Sequence, residues 1–348
     1  MADNPFFHRP QYAKDLAEQL LKPTALQLQV RSGVFLSGIR RIGKTTFLRQ
    51  DLIPALESMQ ALVIYVDLWA DRSKSPALLV HEAVKSTLSE LSSPGAKLLE
   101  RFKSLNVGAA GFSFGFQVDT VGKPGGATLS EVFTELVDKV STNVVLIMDE
   151  VQQALVTEDG NNLLFALKAA RDAVNTRPGT PGYLLFLGTG SHKSLMADMA
   201  TRRSQPFAGA VATEYEPLGA EFVRWKHEEL QRLEGIKLPS QEVMHQGFLA
   251  IGQRPEELQN ALVLLQSRPE DPIWPSPSSA RPWPHQRQRW KLPPSNPWAL
   301  WPRPSLTAWR MATNPANPDS FQRMQSSNTQ RRSGYLSTRH KSRTRWIG

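Results

Sequence analysis

The stretch FLSGIRRIGKTTFLRQ, Phe35–Gln50, contains the pattern from which the fold class of this 348-residue chain follows. Residues 38–45 match G-x-x-x-x-G-K-[ST], the pattern of a phosphate-binding loop. The two glycines let the backbone turn so that successive N–H groups face an anion, and the next helix points its N-terminus at the same anion. The apolar run GVFLSG, 33–38, precedes the loop, which gives the order of strand, loop and helix that such a site requires.

The positions of this loop have different predicted roles. Lys44 would reach the β- and γ-phosphates of a nucleotide, and the hydroxyl of Thr45 would ligate Mg²⁺. Because the backbone binds the phosphates, we expect the side chains of Arg40 and Arg41 to point away and to be unconstrained. The predicted nucleotide-binding residues are Gly38, Ile39, Arg40, Arg41, Ile42, Gly43, Lys44, Thr45 and Thr46.

Two acidic residues end the apolar stretch NVVLIMDE, 143–150. Asp149 can hold Mg²⁺ through water, and Glu150 can polarise the water that attacks the nucleotide. An acidic pair after a strand is also a common structural feature, but together with the loop it favours a hydrolytic ATPase. The N-K-x-D pattern of guanine-specific proteins and the L-S-G-G-Q pattern of transporter ATPases do not occur.

A third strand, YLLFLGTG at 183–190, ends in polar residues. Either Thr189 or Ser191 could form a hydrogen bond to the γ-phosphate or to the attacking water, and Thr189 is counted among the catalytic candidates. The alternative is that these residues only form a turn and cap the next helix.

Apolar strands alternate with helical patterns through residues 30–217, which predicts an α/β parallel sheet with helices on both faces. We expect the strand at 33–38 to lie beside 143–149, with 183–189 next to it. The alternating phenylalanines of GFSFGFQVDTV, 111–121, predict a half-buried strand or hairpin. Residues 1–29 form an N-terminal segment and helix, and 218–268 a small helical lid.

Residues 269–348 differ in composition from the rest of the chain. From residue 272 onward there are 13 Lys or Arg but a single acid, Asp319, along with 12 of the 26 prolines and 7 of the 9 tryptophans. Prolines at this density prevent helices and central strands, so we expect a disordered tail. A reading-frame shift near residue 270 would also produce such a composition, and a native tail that binds nucleic acid is the alternative.

Composition excludes several classes of protein. There are no cysteines, so disulfides and thiolate metal sites are excluded, and the seven histidines show no metal-binding spacing. No apolar run is long enough to span a membrane, and there is no secretory leader, so we expect a cytoplasmic protein without a membrane partner. The net charge of +9 arises in the tail, because residues 1–271 carry 28 basic and 31 acidic groups.

The order of phosphate loop, D-E strand, polar-tipped strand and helical lid resembles the AAA+ ATPases. It is most similar to the branch of origin-recognition and archaeal-type ATPases, whose D-E-x-Q box corresponds to residues 149–152. FFHRP, 6–10, resembles a segment that lies near the adenine in that branch. MATRRSQPFAG, 199–209, resembles the segment that carries an arginine finger, with Arg203 better placed than Arg202, although a solvated basic turn is the alternative. IGQRPEEL, 251–258, resembles the start of the lid helix, where Arg254 would touch the γ-phosphate.

The resemblance implies ATP and Mg²⁺ as cofactors and hydrolysis of ATP to ADP and phosphate. The leading hypothesis is a switch or motor ATPase acting on an unknown protein or DNA partner, with Arg203 completing a neighbour's site in a homo-oligomer. One alternative is a nucleotide-gated binding module with little turnover, and another is a DNA-binding ATPase that uses the tail. The winged-helix or other effector domain usual after the lid is replaced here by the tail, so the partner is not identified.

Overall fold

The computed structural model describes residues 6–93, 98, 111–233, 236 and 238–266. The chain divides into two compact units, Met1–Pro217 and Leu218–Gly348. The predicted tail, 269–348, and the questions of its disorder and origin lie outside the described residues.

The first unit contains five strands and seven α-helical segments within the described ranges. The strands are β1 (Val34–Ser37), β2 (Leu62–Asp67), β3 (Val144–Asp149), β4 (Leu184–Gly190) and β5 (Val211–Glu214). The α-helices are α1 (Pro10–Leu21), α2 (Lys44–Phe47), α3 (Ile53–Ser58), α4 (Pro76–Ser92), α5 (Leu129–Val140), α6 (Glu158–Asn175) and α7 (Lys193–Thr201). A π-helical turn, Leu48–Leu52, joins α2 to α3, and short 3₁₀ segments cover Ala25–Ser32, Val118–Thr120 and Val151–Leu155.

The five strands form one parallel sheet in the order β2-β3-β4-β1-β5. Parallel neighbours require crossover connections, and the helices between successive strands supply them. All carboxyl ends of the strands therefore lie at one edge of the sheet, where the loop after β1 and the acids at the end of β3 meet. This arrangement confirms the predicted fold class.

Alternate residues of the buried strands pack into two separate hydrophobic cores. In β3, Val144, Leu146 and Met148 belong to a core with α4, α5 and α6, whereas Val145 and Ile147 belong to a core with α1, α2 and α3. Because side chains of a strand alternate between its faces, these two cores lie on opposite faces of the sheet. Helices thus cover both faces, which explains why the strands have continuous apolar sequences.

Two predictions about the sheet are wrong. β4 lies between β1 and β3, so the strand of the phosphate loop is not a direct neighbour of the acid-bearing strand. Residues 111–121 contain no strand, because their partly buried phenylalanines pack on the α4–α6 core while the backbone pairs with none of the sheet strands. The sequence reading also missed β5, whose residues are mostly exposed.

The second unit is described as three helices: α8 (Ala220–Gln231), α9 (Gln241–Ala250) and α10 (Pro255–Gln266). The rings of Phe222 on α8 and Phe248 on α9 pack with centroids 5.2 Å apart. The amide of Gln253, just before α10, donates to the carbonyl oxygen of Leu218 at 2.8 Å. Of the helices in the part of the chain that the structure describes, none combines the length and apolar character needed to cross a membrane.

The first prediction concerns Phe207, which anchors the loop between α7 and β5. Its ring is fully buried and lies 5.5 Å from Phe35 and 5.2 Å from Phe186, edge to face in both cases. We expect Phe207→Ala to lower the free energy of unfolding by about 3–5 kcal/mol, because it leaves a cavity between two strands. Urea denaturation followed by circular dichroism measures this change.

Phe165→Ala is the matched control, since the side chain of Phe165 on α6 is 45% exposed. This substitution should cost less than about 1 kcal/mol. Equal losses for the two variants would contradict the assigned packing of Phe207.

Candidate functional site

The phosphate loop, Gly38–Thr45, is anchored at both ends by the sheet and the core. The backbone N–H of Gly38 donates to the carbonyl oxygen of Gly190 on β4 at 3.0 Å. Gly43 has a φ of 91°, a left-handed conformation that favours glycine. A Cβ on Gly38 would lie 2.7 Å from the Cδ1 atom of Ile42, whose side chain is buried in the core. The loop therefore requires both glycines, and Ile42 holds it against the sheet.

Lys44 is a buried cation at the centre of the loop. Its Nζ donates to the carbonyl oxygens of Gly38 at 2.7 Å and of Ile39 at 3.0 Å. Burial lowers the pKa of the Lys44 ammonium, and the negative charges of Glu150 and Asp149 offset part of this shift. The ammonium is thus placed inside the loop that would hold phosphate oxygens, while Thr46, one residue beyond Thr45, is exposed on the first turn of α2.

Asp149, which is 1% exposed, joins three strands at the end of β3. Its Oδ2 accepts hydrogen bonds from the Thr45 hydroxyl at 2.5 Å and from the Tyr65 hydroxyl at 3.2 Å. Its Oδ1 accepts from the Thr189 hydroxyl and, at 3.1 Å, from the backbone N–H of Glu150. These donors fix the orientation of the carboxylate toward the phosphate loop.

Glu150 follows in a left-handed backbone conformation, with a φ of 56°. Its Oε2 accepts a hydrogen bond from the amide of Gln152, and the hydroxyl of Ser191 lies 3.5 Å from the same oxygen. Gln152 is buried, and its amide nitrogen is also 3.4 Å from Ser191. The carboxylate of Glu150 is therefore already engaged by neighbouring side chains at the edge of the sheet.

The oxygen groups of Thr45 and Asp149 suit a Mg²⁺ ion that is bound together with a phosphate. Thr45 supplies a hydroxyl and Asp149 a carboxylate, which are the hard oxygen ligands that Mg²⁺ prefers. Within the described ranges, no group of three or more His, Cys, Asp or Glu side chains could hold a metal. Mg²⁺ in nucleotide sites usually keeps several waters and binds phosphate oxygens besides one or two protein ligands, which is compatible with the two ligands present here.

Of the two arginines in the loop, Arg40 departs from the expected outward orientation. Arg40 does not point away from the site: its Nε donates to the hydroxyl of Ser191 at 3.3 Å, and its guanidinium lies 4.4 Å from the ring centroid of Trp69. Both contacts lie at the edge of the sheet where the strands end. Arg41 is exposed and has a φ of 66°. The prediction that the loop arginines point away and are unconstrained is thus wrong for Arg40.

Two more predicted residues are arginines that do not belong to the phosphate loop. Arg203 is exposed in the loop between α7 and β5, and the neighbouring Arg202 lies 3.6 Å from Asp198 on α7. Arg254 belongs to the second unit, immediately before α10, and its buried Nε has no hydrogen-bond partner among the described residues. The roles predicted for Arg203 and Arg254 stay predictions.

Sequence reasoning missed two aromatic contributors at the end of β2, Tyr65 and Trp69. Burial and the neighbouring charge of Asp149 raise the pKa of the Tyr65 hydroxyl, so that it remains a donor. A contribution of Tyr65 to the site could have been suspected, because Tyr65 lies two residues before the end of a strand parallel to β3. Nothing in the sequence links Trp69 to the phosphate loop.

The N-terminal segment also reaches the helix that follows the loop. Asp51, on the π-helical turn, accepts a hydrogen bond from the backbone N–H of Arg9 at 3.1 Å and lies 2.8 Å from the His8 ring. The guanidinium of Arg9 donates to Glu216 and lies 4.4 Å from the ring centroid of Tyr12. FFHRP thus packs beside the phosphate-loop helix, and its predicted proximity to adenine stays a prediction.

Comparison with known proteins identified similar folds only among solved structures. No protein-family model and no curated protein sequence matches this chain. One similar structure is the Aeropyrum pernix ORC1 protein in complex with DNA, with 17% identity and a TM-score of 0.41 over 78% of this chain. Another is the Aeropyrum pernix ORC2 protein in ADPNP and ADP complexes, with 13% identity and a TM-score of 0.46 over 76%.

AMPPCP-bound DnaA from Aquifex aeolicus is also similar, with 14% identity and a TM-score of 0.38 over 77% of this chain. The chain covers 64% of each Aeropyrum chain and 65% of the Aquifex chain. These structures are AAA+ ATPases, the family that the motifs resemble. The likeness is one of fold, and it assigns no role to any residue of this chain.

The second prediction tests the contact between Thr189 and Asp149. Thr189→Val keeps the shape of the side chain but removes the hydroxyl that orients the carboxylate. We expect the affinity for a nonhydrolysable ATP analogue in Mg²⁺ to fall about 10-fold, a typical cost of removing a group that orients a metal ligand. Thr176→Val, which removes an exposed hydroxyl bonded to the carbonyl oxygen of Asp172, should leave this affinity unchanged. Isothermal titration calorimetry measures these affinities. A similar affinity for the wild type, Thr189→Val and Thr176→Val would show that the Thr189 hydroxyl does not orient the carboxylate.

Proposed function

We propose that this protein binds ATP with Mg²⁺, hydrolyses it to ADP and phosphate, and couples the reaction to a conformational change that acts on a partner. The observation that carries the proposal is the 2.5 Å hydrogen bond from the Thr45 hydroxyl to Asp149. It places the last residue of the phosphate loop against the acid at the end of β3. A phosphate-binding backbone, a buried ammonium and two oxygen ligands for Mg²⁺ therefore share one edge of the sheet.

Each group of the site has a distinct task in this proposal. The backbone of residues 38–45 binds the phosphates, and Lys44 places a positive charge beside the β- and γ-phosphates. Thr45 and Asp149 would hold Mg²⁺, which when bound neutralises charge on the phosphate oxygens. The hydrogen bonds from Tyr65 and Thr189 aim the Asp149 carboxylate at the loop.

Glu150 would accept the proton of the attacking water. As the water oxygen bonds to the γ-phosphorus, the bond from that phosphorus to the β,γ-bridging oxygen breaks, and the bridging oxygen leaves as part of ADP. The proton taken by Glu150 then passes to solvent or to the released phosphate. Proton transfer of this kind contributes about 10²–10⁴-fold to a rate.

A second candidate function is a nucleotide-gated binding module that turns over little ATP. The specific observation in its favour is the hydrogen bond from Gln152 to Glu150. A carboxylate that accepts this bond is less available to a water molecule. Under this alternative the protein binds ATP as a signal, and its bound state rather than its rate of hydrolysis regulates the partner.

The leading form of the proposal includes a homo-oligomer in which Arg203 completes the site of a neighbouring copy. The exposure of Arg203 supports this role, whereas Arg202 lies near Asp198 of its own chain. The partner could be a protein or DNA, and the DNA-binding form is a separate proposal. ATPase activity measured with and without DNA, before and after deletion of residues 272–348, tests the DNA-binding form.

The third prediction separates binding from hydrolysis. Lys44→Ala should abolish ATP binding, because it removes the buried cation of the loop. Glu150→Gln keeps the size of the side chain but cannot accept a proton, so it should bind ATP normally and lose at least about 100-fold in kcat. Calorimetry measures the binding, and phosphate release measures the turnover. Equal turnover by the wild type and Glu150→Gln would remove Glu150 from its proposed role.

The fourth prediction concerns the oligomer. If Arg203 acts on a neighbour, specific ATPase activity should rise with protein concentration, and Arg203→Ala should reduce the plateau at least about 1,000-fold, the lower end of the range for an arginine finger. Arg202→Ala is the matched control and should change the rate by less than about 3-fold. Activity independent of concentration, or identical rates for the two variants, would favour the nucleotide-gated module.

A further inference from the structure

Arg40 extends from the phosphate loop toward the groups that would act on the terminal phosphate. Its Nε donates to the Ser191 hydroxyl at 3.3 Å, and that hydroxyl lies 3.5 Å from the Oε2 of Glu150. Ser191 directly follows β4, whose Thr189 binds Asp149. The guanidinium is thus placed on the side of the loop that faces Glu150.

Two contacts hold the guanidinium in this position. Its carbon lies 4.4 Å from the ring centroid of Trp69, within the range of a cation–π interaction. The main chain at Trp69 is held in turn by a hydrogen bond, since its backbone N–H donates to the Asp67 carboxylate at the end of β2 at 2.8 Å. An arginine held by a ring and a hydroxyl loses less conformational entropy when it binds a ligand.

The phosphate loop carries a second cation besides the buried Lys44. The Arg40 side chain lies on the side of Ser191 and Glu150, whereas the Lys44 ammonium lies against the carbonyl oxygens of Gly38 and Ile39. A multiply charged phosphate could accept hydrogen bonds from both side chains.

We propose that Arg40 is a second phosphate-binding cation, supplied in cis by the phosphate loop, that distinguishes a nucleoside triphosphate from a diphosphate, with Trp69 and Ser191 as its positioning residues. This inference rests on the proposed function and assigns the Glu150 side of the loop to the terminal phosphate. The loop backbone and Lys44 would bind either nucleotide. Arg40 would contact only the phosphate that lies nearest Glu150, which a diphosphate lacks.

The experiment compares the affinities of two ligands in the full-length protein, AMP-PNP and ADP, both with Mg²⁺. Arg40→Ala should weaken AMP-PNP binding by about 10–100-fold, the range expected from losing a hydrogen bond to a charged group. ADP binding should change by less than about 3-fold, and it reports that the variant is folded. Arg40→Gln, which keeps a polar side chain without the charge, should behave like Arg40→Ala.

Arg72→Ala is the matched control. Arg72 is exposed and lies 5.8 Å from the same Trp69 ring, but it is not part of the loop. Its removal should leave both affinities unchanged. The inference is overturned if Arg40→Ala weakens both ligands by the same factor, which indicates a general loss of loop structure, or if it weakens neither. A wild type that binds neither ligand overturns the proposed function as well.

A double-mutant cycle tests the positioning role of Trp69. Trp69→Leu removes the aromatic face and should weaken AMP-PNP binding about 2–5-fold without affecting ADP, in line with a cation–π contact of an exposed arginine. In the Arg40→Ala background the same change should have no further effect on AMP-PNP, because the residue that Trp69 holds is gone. Additive losses would contradict a role exerted through Arg40 and overturn this part of the inference.

Discussion

The hydrogen bond between Thr45 and Asp149 depends on the positions of three strand ends. Thr45 opens α2 after β1, Asp149 ends β3, and β4 lies between these strands and contributes Thr189. Parallel pairing places all three carboxyl ends at one edge, and this pairing requires helices that cross over each face. The two hydrophobic cores that hold those helices therefore determine the distance between the loop and the carboxylate. The geometry of the candidate site thus depends on the packing of the sheet. A shift of β4 would separate the phosphate loop from the acidic pair at the end of β3.

The parallel sheet could be predicted from the sequence, but the order of its strands could not. Apolar runs such as Val144–Met148 indicate burial on both faces, yet they carry no information on which strand lies beside which. β5 was missed because its residues are mostly exposed and resemble a loop. The phenylalanines near residue 114 alternate because they pack on one core. Alternation at every second residue is the same whether or not the backbone pairs with a strand, so it does not by itself identify a strand.

The residues of the phosphate loop and the acidic pair were predictable for a chemical reason. Backbone N–H groups, an ammonium and a carboxylate bind phosphate and Mg²⁺ only in restricted spacings, so the pattern itself points to the function. The contacts made by Arg40, Tyr65 and Trp69 were not predictable in the same way, because they join segments that are far apart in sequence and depend on the order of the strands. Arg203 would act on another copy and Arg254 lies in the second unit, so geometry within the first unit does not test either residue.

In the proposed function, Asp149 and the phosphate loop form one Mg²⁺-dependent nucleotide site. The affinity for AMP-PNP, measured in Mg²⁺ and again in EDTA for the wild type and for Asp149→Asn, tests this claim most directly. We expect Mg²⁺ to strengthen binding to the wild type at least about 10-fold. Asp149→Asn should lose this dependence while it keeps the wild-type affinity in EDTA. The same Mg²⁺ dependence in both proteins would contradict the claim, because the metal would then not be held by the carboxylate at the end of β3.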